Sequence, residues 1–203
     1  MQGLIELIIS LGYLHSENII EAFKKIKRDD FISGLEKEYA KENRPLSIGY
    51  GQTISQPMTV AFMLEKLQPR PNDHILDIGS GSGWQTALLC ELVGEKGKVY
   101  AIEIISELKK FGQHNVQKYK YSNAKFYCRD GASGLKNKAP FDRIIAAASA
   151  EQIPMPWLEQ LKIGGRLVCP IKESIWQIDK ISENQFDKKE FTGFVFVPLV
   201  NKK

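Results

Sequence analysis

The sequence predicts an α/β fold: a Rossmann-like, mostly parallel sheet with an antiparallel C-terminal edge and an N-terminal helical extension. Three observations carry that expectation. From Asp73 onward, short apolar runs alternate with stretches of helical spacing, the rhythm of a parallel sheet covered by helices on both faces. Ahead of that point, residues 1–40 show helical periodicity alone. After Pro170 the helical spacing stops and two β-branched or aromatic runs follow, which suits an antiparallel edge added to a parallel sheet.

In chain order, Leu4, Leu7, Ile8 and Leu11 recur at helical spacing, followed by Ile19, Ile20, Phe23 and Ile26. Ser16, just before Glu17, is placed as the start of the second helix. Residues 41–57 form a loop punctuated by glycine and proline, longer than a mere connector needs and therefore a candidate functional segment. A helix is expected from about Met58 to Leu67. Strands are expected at His74–Ile78, Lys98–Ile102, Ala124–Cys128, Phe141–Ala148 and Arg166–Cys169. Helices are expected at Ser82–Val93, from Ser106 to about Tyr119, and from Pro156 to about Leu161. Ser174–Ile181 and Glu190–Leu199 read as an antiparallel pair. The chain thus divides into an extension with its loop, 1–57, and a ligand-binding core, 58–203, together forming one globular unit.

Composition agrees with one domain and a modest extension. Of 203 residues, 43% are hydrophobic, enough to fill a core, and 26% are charged. The net charge of +4 is small and dispersed, so no nucleic-acid partner is expected. The basic runs at 23–28 and 109–110 read as solvated helix faces. Cys90, Cys128 and Cys169 lie far apart, without a CxxC or a histidine at ligand spacing. That suits a reducing compartment and gives neither a disulfide framework nor a metal site. The apolar N-terminus contains Glu6 and no basic leader, so no signal peptide or membrane span is expected and the cytoplasm is the default location.

The chemistry concentrates in Asp77-Ile78-Gly79-Ser80-Gly81-Ser82-Gly83, which leaves a strand and enters a helix. Glycines there let backbone approach a ligand without an intervening Cβ, and in such sheets ligands lie beyond the carboxyl ends of the strands. Twenty-four residues after Gly79, Glu103 closes the next strand, where a carboxylate can accept both hydroxyls of a ribose. Dinucleotide and S-adenosylmethionine proteins share that pairing. A dinucleotide fingerprint, however, places a third glycine for close helix packing at the position held here by Trp84. A P-loop is excluded because no Gly-Lys-Ser/Thr follows. The bland alternative is a structural glycine turn. Arg129-Asp130-Gly131 ends the third strand and offers either a carboxylate to an adenine amino group or a plain turn residue.

Ile48-Gly49-Tyr50-Gly51-Gln52-Thr53-Ile54-Ser55-Gln56-Pro57, followed by Leu76-Asp77-Ile78-Gly79-Ser80-Gly81-Ser82-Gly83, resembles the protein-L-isoaspartate (D-aspartate) O-methyltransferase family. Asp130-Gly131, Pro140-Phe141-Asp142, Gly164-Gly165-Arg166-Leu167-Val168 and Val197-Pro198-Leu199 extend the resemblance over roughly residues 20–200. It implies a class I methyltransferase fold with a seven-stranded sheet, S-adenosylmethionine as cofactor and S-adenosylhomocysteine as product. It further implies methylation of the free α-carboxylate of L-isoaspartyl residues in damaged proteins and peptides, initiating repair through a succinimide, by a monomer. By position, Ser55 corresponds to the active-site serine. Thr53, Ile54 and Ser55 would line the cofactor, Glu103 would hold the ribose and Asp130 the adenine. Gly79, Ser80 and Gly81 would border the methionine portion, and Asp77 and Gly131 complete the cofactor-binding set. Two positions depart from the family pattern on the expected substrate side: Met58-Thr59, where a histidine or another aromatic is common, and Lys172, where glycine is usual. A methyltransferase of the same fold acting on a small molecule or another protein site, and a non-catalytic cofactor-binding module, are the competing readings.

Overall fold

The computed structural model describes residues 2–200. The extension begins with α1 (Gln2–Ser10) and α2 (Glu17–Lys25), then short 3-10 turns at Arg28–Phe31 and Gly34–Tyr39. Ser16 stands at the expected start of α2, but its side chain does not cap the helix. Its hydroxyl donates to Glu65 Oε2 at 2.6 Å, and the same carboxylate takes the backbone N–H groups of His15 and Ser16 at 2.8 and 2.7 Å. A buried acid from the core therefore ties down the entry to α2.

The 41–57 segment is not all loop. It folds into a small antiparallel hairpin, β1 (Leu46–Gly49) and β2 (Gln52–Ile54). Its tip is Tyr50-Gly51, with φ of 56° and 68°. Pro57 opens α3 (Pro57–Leu67), a position where its missing N–H is no loss.

The core alternates as expected: β3 (His74–Ile78), α4 (Trp84–Val93), β4 (Lys98–Glu103), α5 (Ser106–Gln117), β5 (Ala124–Cys128), β6 (Phe141–Ala146), α6 (Met155–Glu159), β7 (Leu161–Ile171), β8 (Ser174–Lys180) and β9 (Phe186–Thr192). The seven strands run in the order β5-β4-β3-β6-β7-β8-β9. Pairings from β5 to β7 are parallel, and those joining β7, β8 and β9 are antiparallel. Because β4 and β6 leave β3 on opposite sides, a crevice opens beyond the ends of these strands.

Two expected strands need correction. β7 begins at Leu161, and Gly164-Gly165 lie in a bulge: Phe141 pairs with Leu161 while Arg143 already pairs with Arg166. The last strand lies earlier than Glu190–Leu199. Gly193, at φ 91°, turns the chain out of the sheet. The backbone N–H groups of Gly193 and Phe194 both donate to the Glu173 carbonyl, at 3.0 and 3.1 Å. The tail then runs beside the end of β6, with Ser149 N–H on the Val197 carbonyl at 2.8 Å and Leu199 N–H on the Ser149 carbonyl at 2.7 Å.

Nine of the ten α4 residues are buried, which an amphipathic surface helix would not allow. The sheet covers one side of α4, and α2 of the extension covers the other. Leu4, Ile8, Phe23 and Ile26 share a single core cluster with Trp84, Leu88 and Val93. The basic run at 23–28 also departs from expectation. Lys24, Lys25 and Lys27 are exposed, whereas Arg28 is fully buried.

Candidate active site

The crevice holds a cavity of about 820 Å³, open mouth included. Its floor is the glycine turn after β3. Gly79, Gly81 and Gly83 all have positive φ (78°, 48° and 86°), a region side chains rarely enter. The N–H groups of Gly79 and Ser80 donate to the Ile102 carbonyl at 2.9 and 3.0 Å, which locks the turn to β4. A Cβ on Gly83 would stand 2.6 Å from the Gly112 carbonyl oxygen of α5, and one on Gly112 would stand 2.7 Å from that of Gly81. Gly83 and Gly112 thus supply the close packing that a dinucleotide fingerprint assigns one residue later. Trp84 turns into the core instead, edge-on to Phe23 at 5.6 Å.

Glu103 ends β4 inside the cavity wall, 6% exposed. Its Oε2 accepts the Gly81 N–H at 2.9 Å and its Oε1 that of Ile105 at 3.0 Å. Each oxygen keeps lone-pair capacity. Ser80 and Gly131 also line the cavity. A Cβ on Gly131 would sit 2.5 Å from Ile78 Cγ2, so a larger residue there would force a shift.

Two of the anticipated cofactor residues stand outside the lining. Asp77 is fully buried behind the turn and receives Gln85 Nε2 at 2.8 Å and Thr86 Oγ1 at 2.6 Å. Burial pushes its carboxyl up to about 6, with Glu103's charge adding to the rise against those two hydrogen bonds. Asp77 shapes the start of α4 and does not face the ligand space. Asp130 follows β5, and its Oδ1 accepts the Ala132 N–H at 2.8 Å. The plain-turn role is therefore present, with a second oxygen left over beside Gly131.

The hairpin supplies a further part of the wall. Ile48, Gln52, Thr53, Ile54 and Ser55 all line the cavity, so the loop and the glycine turn border one space. Arg28 holds this wall from behind. Its guanidinium donates to the carbonyls of Ala40, Glu42, Arg44 and Ser55 at 3.2, 3.1, 2.8 and 3.1 Å, and to that of Ile54 at 3.5 Å.

Sequence reasoning missed part of the lining. Val197, Pro198, Leu199 and Val200 close the cavity, although 190–199 reads as a sheet strand. The motif Val197-Pro198-Leu199 was the available signal, since a proline is poorly suited to a ladder. Of the two departures, Lys172 adopts φ 53°, the left-handed region where glycine is at ease. Its carbonyl accepts the Ser149 hydroxyl at 3.0 Å. Met58 lines a neighbouring groove with Gln56, Phe62 and Phe194, its N–H donating to Asn43 Oδ1 at 3.1 Å.

Comparison with known proteins places these features in context. The family model for protein-L-isoaspartate(D-aspartate) O-methyltransferase matches residues 1–203. A Flavobacterium psychrophilum protein-L-isoaspartate O-methyltransferase is 44% identical over 191 residues, covering 93% of this chain and 88% of that one. The Methanopyrus kandleri protein of the same name is 38% identical over 207 residues, covering 100% and 92%. Among solved structures, a protein-L-isoaspartate O-methyltransferase superposes with a TM-score of 0.88 at 25% identity, over 98% of this chain and 66% of that one. A Plasmodium falciparum structure, described as a complex with S-adenosyl-L-homocysteine, superposes with a TM-score of 0.87 at 23% identity, over 98% and 97%.

Proposed function

The chain belongs to the protein-L-isoaspartate(D-aspartate) O-methyltransferase family, and we propose from that premise a residue-level account of how it works. The enzyme transfers a methyl group from S-adenosylmethionine to the free α-carboxylate of L-isoaspartyl residues in damaged proteins and peptides. The observation that carries this reading is that Ser55, Glu103 and the glycine turn all line a single cavity.

The residues suit the cofactor. Glu103 offers two fixed acceptor oxygens to a ribose diol. Gly79 and Gly81, held at positive φ where side chains are disfavoured, leave room for the methionine portion beside Ser80. Gly131 lines the cavity and would border an adenine edge; Asp130, outside the lining, would have to turn its second oxygen inward to meet the adenine amino group. Thr53 and Ile54 cover the remaining face. S-adenosylmethionine, when bound, supplies the electrophilic methyl carbon.

A carboxylate is already ionised at neutral pH, so the chain needs no general base. Its task is alignment, which can contribute up to about 7–11 kcal/mol in the best cases. Ser55 donates its hydroxyl to the substrate carboxylate and fixes one oxygen toward the cavity. The Val197–Val200 tail and Ile48 exclude water from the line of attack.

Among the described residues, no helix is long and apolar enough to cross a membrane. The small net charge of +4 supports a protein and not a nucleic acid as the partner. The product tests the chemistry. An α-carboxyl methyl ester next to an isoaspartyl link should lose methanol at mildly alkaline pH as the neighbouring amide closes a succinimide. Label that stays on the peptide under those conditions would contradict the assigned acceptor.

A further inference from the structure

We infer that Arg28 is a positioning residue for methyl transfer: its guanidinium fixes the backbone of Ile54 and Ser55 and thereby sets where the Ser55 hydroxyl sits over the cofactor cavity. This rests on the reading of Ser55 given above.

Arg28 is fully buried yet forms no ion pair among the described residues. A buried cation is expensive unless its donors are met. Here the four terminal N–H groups serve five carbonyls, leaving only Nε without a partner. Burial, and secondarily the charge of Arg44, lowers its pKa to about 10, so it remains charged at neutral pH. Three of the acceptors (Ala40, Glu42, Arg44) lie on the segment entering the β1–β2 hairpin. The other two, Ile54 and Ser55, lie where the hairpin leaves. One planar group therefore clamps both legs of the hairpin at its base.

The clamp is itself held from the cofactor side. The Arg28 guanidinium lies 5.5 Å from the ring centroid of Trp84, the first residue of α4 after the glycine turn. The turn carrying Arg28 is pinned beyond α5. Tyr119 accepts the Lys27 N–H at 2.9 Å, donates its hydroxyl to Asp30 Oδ2 at 2.6 Å and stacks on Phe31 at 5.8 Å. Arg28 thus links the frame that holds the cofactor to the backbone that carries Ser55. Lysine keeps the charge, but its single nitrogen cannot span both legs.

The test is a double-mutant cycle with Arg28→Lys and Ser55→Ala in the full chain. It reads kcat on an isoaspartyl peptide, the Kd of S-adenosylhomocysteine and the thermal midpoint. Arg28→Lys alone should lower kcat at least fivefold while Kd stays within threefold. In the Ser55→Ala background the same change should alter kcat less than twofold, because no hydroxyl is left to position. Equal losses in both backgrounds would overturn the inference. So would a loss carried entirely by cofactor affinity, or an Arg28→Lys chain that does not fold, since either makes Arg28 a general staple. A wild-type chain that transfers nothing to the peptide would instead overturn the functional reading, and the inference with it.

Discussion

Glu103 Oε2 accepts the backbone N–H of Gly81 at 2.9 Å, so the carboxylate assigned to the ribose also holds the glycine turn in place. Removing it should act twice, by deleting charge-assisted hydrogen bonds to the cofactor and by loosening the turn. Each charged hydrogen bond is worth roughly 1.5–3 kcal/mol. Glu103→Ala should therefore weaken S-adenosylhomocysteine binding tenfold or more in calorimetry. Unchanged affinity would remove Glu103 from the site.

Ser55 should separate chemistry from cofactor binding. Ser55 lines the cavity, while its carbonyl is held by Arg28 at 3.1 Å. Ser55→Ala leaves that backbone contact intact and removes one hydrogen bond to a charged carboxylate, again roughly 1.5–3 kcal/mol. Turnover should fall tenfold or more while the Kd of S-adenosylhomocysteine stays within threefold. A normal rate on isoaspartyl peptide would refute the role.

Gly112 lies inside α5, where alanine would ordinarily stabilise by about 1 kcal/mol. Here a Cβ would stand 2.7 Å from the Gly81 carbonyl oxygen and 3.1 Å from the Gly83 nitrogen, both backbone atoms of the ligand turn. Overpacking of this kind costs about 1–3 kcal/mol, so the clash should win. Gly112→Ala should lower the thermal midpoint by several degrees and weaken cofactor-product binding. A raised midpoint would show that the turn yields freely.

Asp77 gives a pH signature. Its folded pKa of about 6 lies above the unfolded carboxylate value near 3.9, so the folded chain binds the extra proton between the two. The associated stability is fully present below about pH 4 and is lost as pH rises through 6. Asp77→Asn, which cannot ionise, should lack this loss. Urea unfolding should show wild type falling behind the variant by up to roughly 3 kcal/mol between pH 4 and 6, with a constant gap above pH 7. A gap that does not change across that window would contradict the raised pKa.

The elements legible in the sequence were those with a local signal. The glycine turn after β3 and Glu103 at the next strand end are legible from spacing alone, and the structure brings Gly79–Ser82 and Glu103 to one cavity. The β1–β2 hairpin was not legible because its strands are only four and three residues long and meet at Gly49-Tyr50-Gly51. The tail was misread because Phe194 and Phe196 carry strand-like apolar character. What takes them out of the sheet is Gly193's backbone and a remote acceptor, Glu173. Arg28 was hidden by its neighbours. In Lys24-Lys25-Ile26-Lys27-Arg28 only one cation is buried, and its five acceptors come from residues 40–55, which no local pattern connects to it. Asp77 sits in the glycine motif, yet whether it touches ligand or braces α4 depends on the direction of its side chain. Sequence spacing does not give that direction.

Substrate choice is the most direct test. In an isoaspartyl link the chain passes through the side-chain carboxyl, leaving the α-carboxylate next to the backbone. An ordinary aspartate carries its carboxylate one methylene farther out, and a misplacement of about 1 Å costs on the order of 10²-fold in an aligned transfer. The measurement is the initial rate of labelled methyl transfer onto an isoaspartyl peptide and onto its aspartyl twin, at saturating S-adenosylmethionine. We expect the isoaspartyl peptide to be methylated about 10²-fold faster or more. Comparable rates on the two peptides would contradict the assignment of Ser55 and its cavity to the isoaspartyl α-carboxylate.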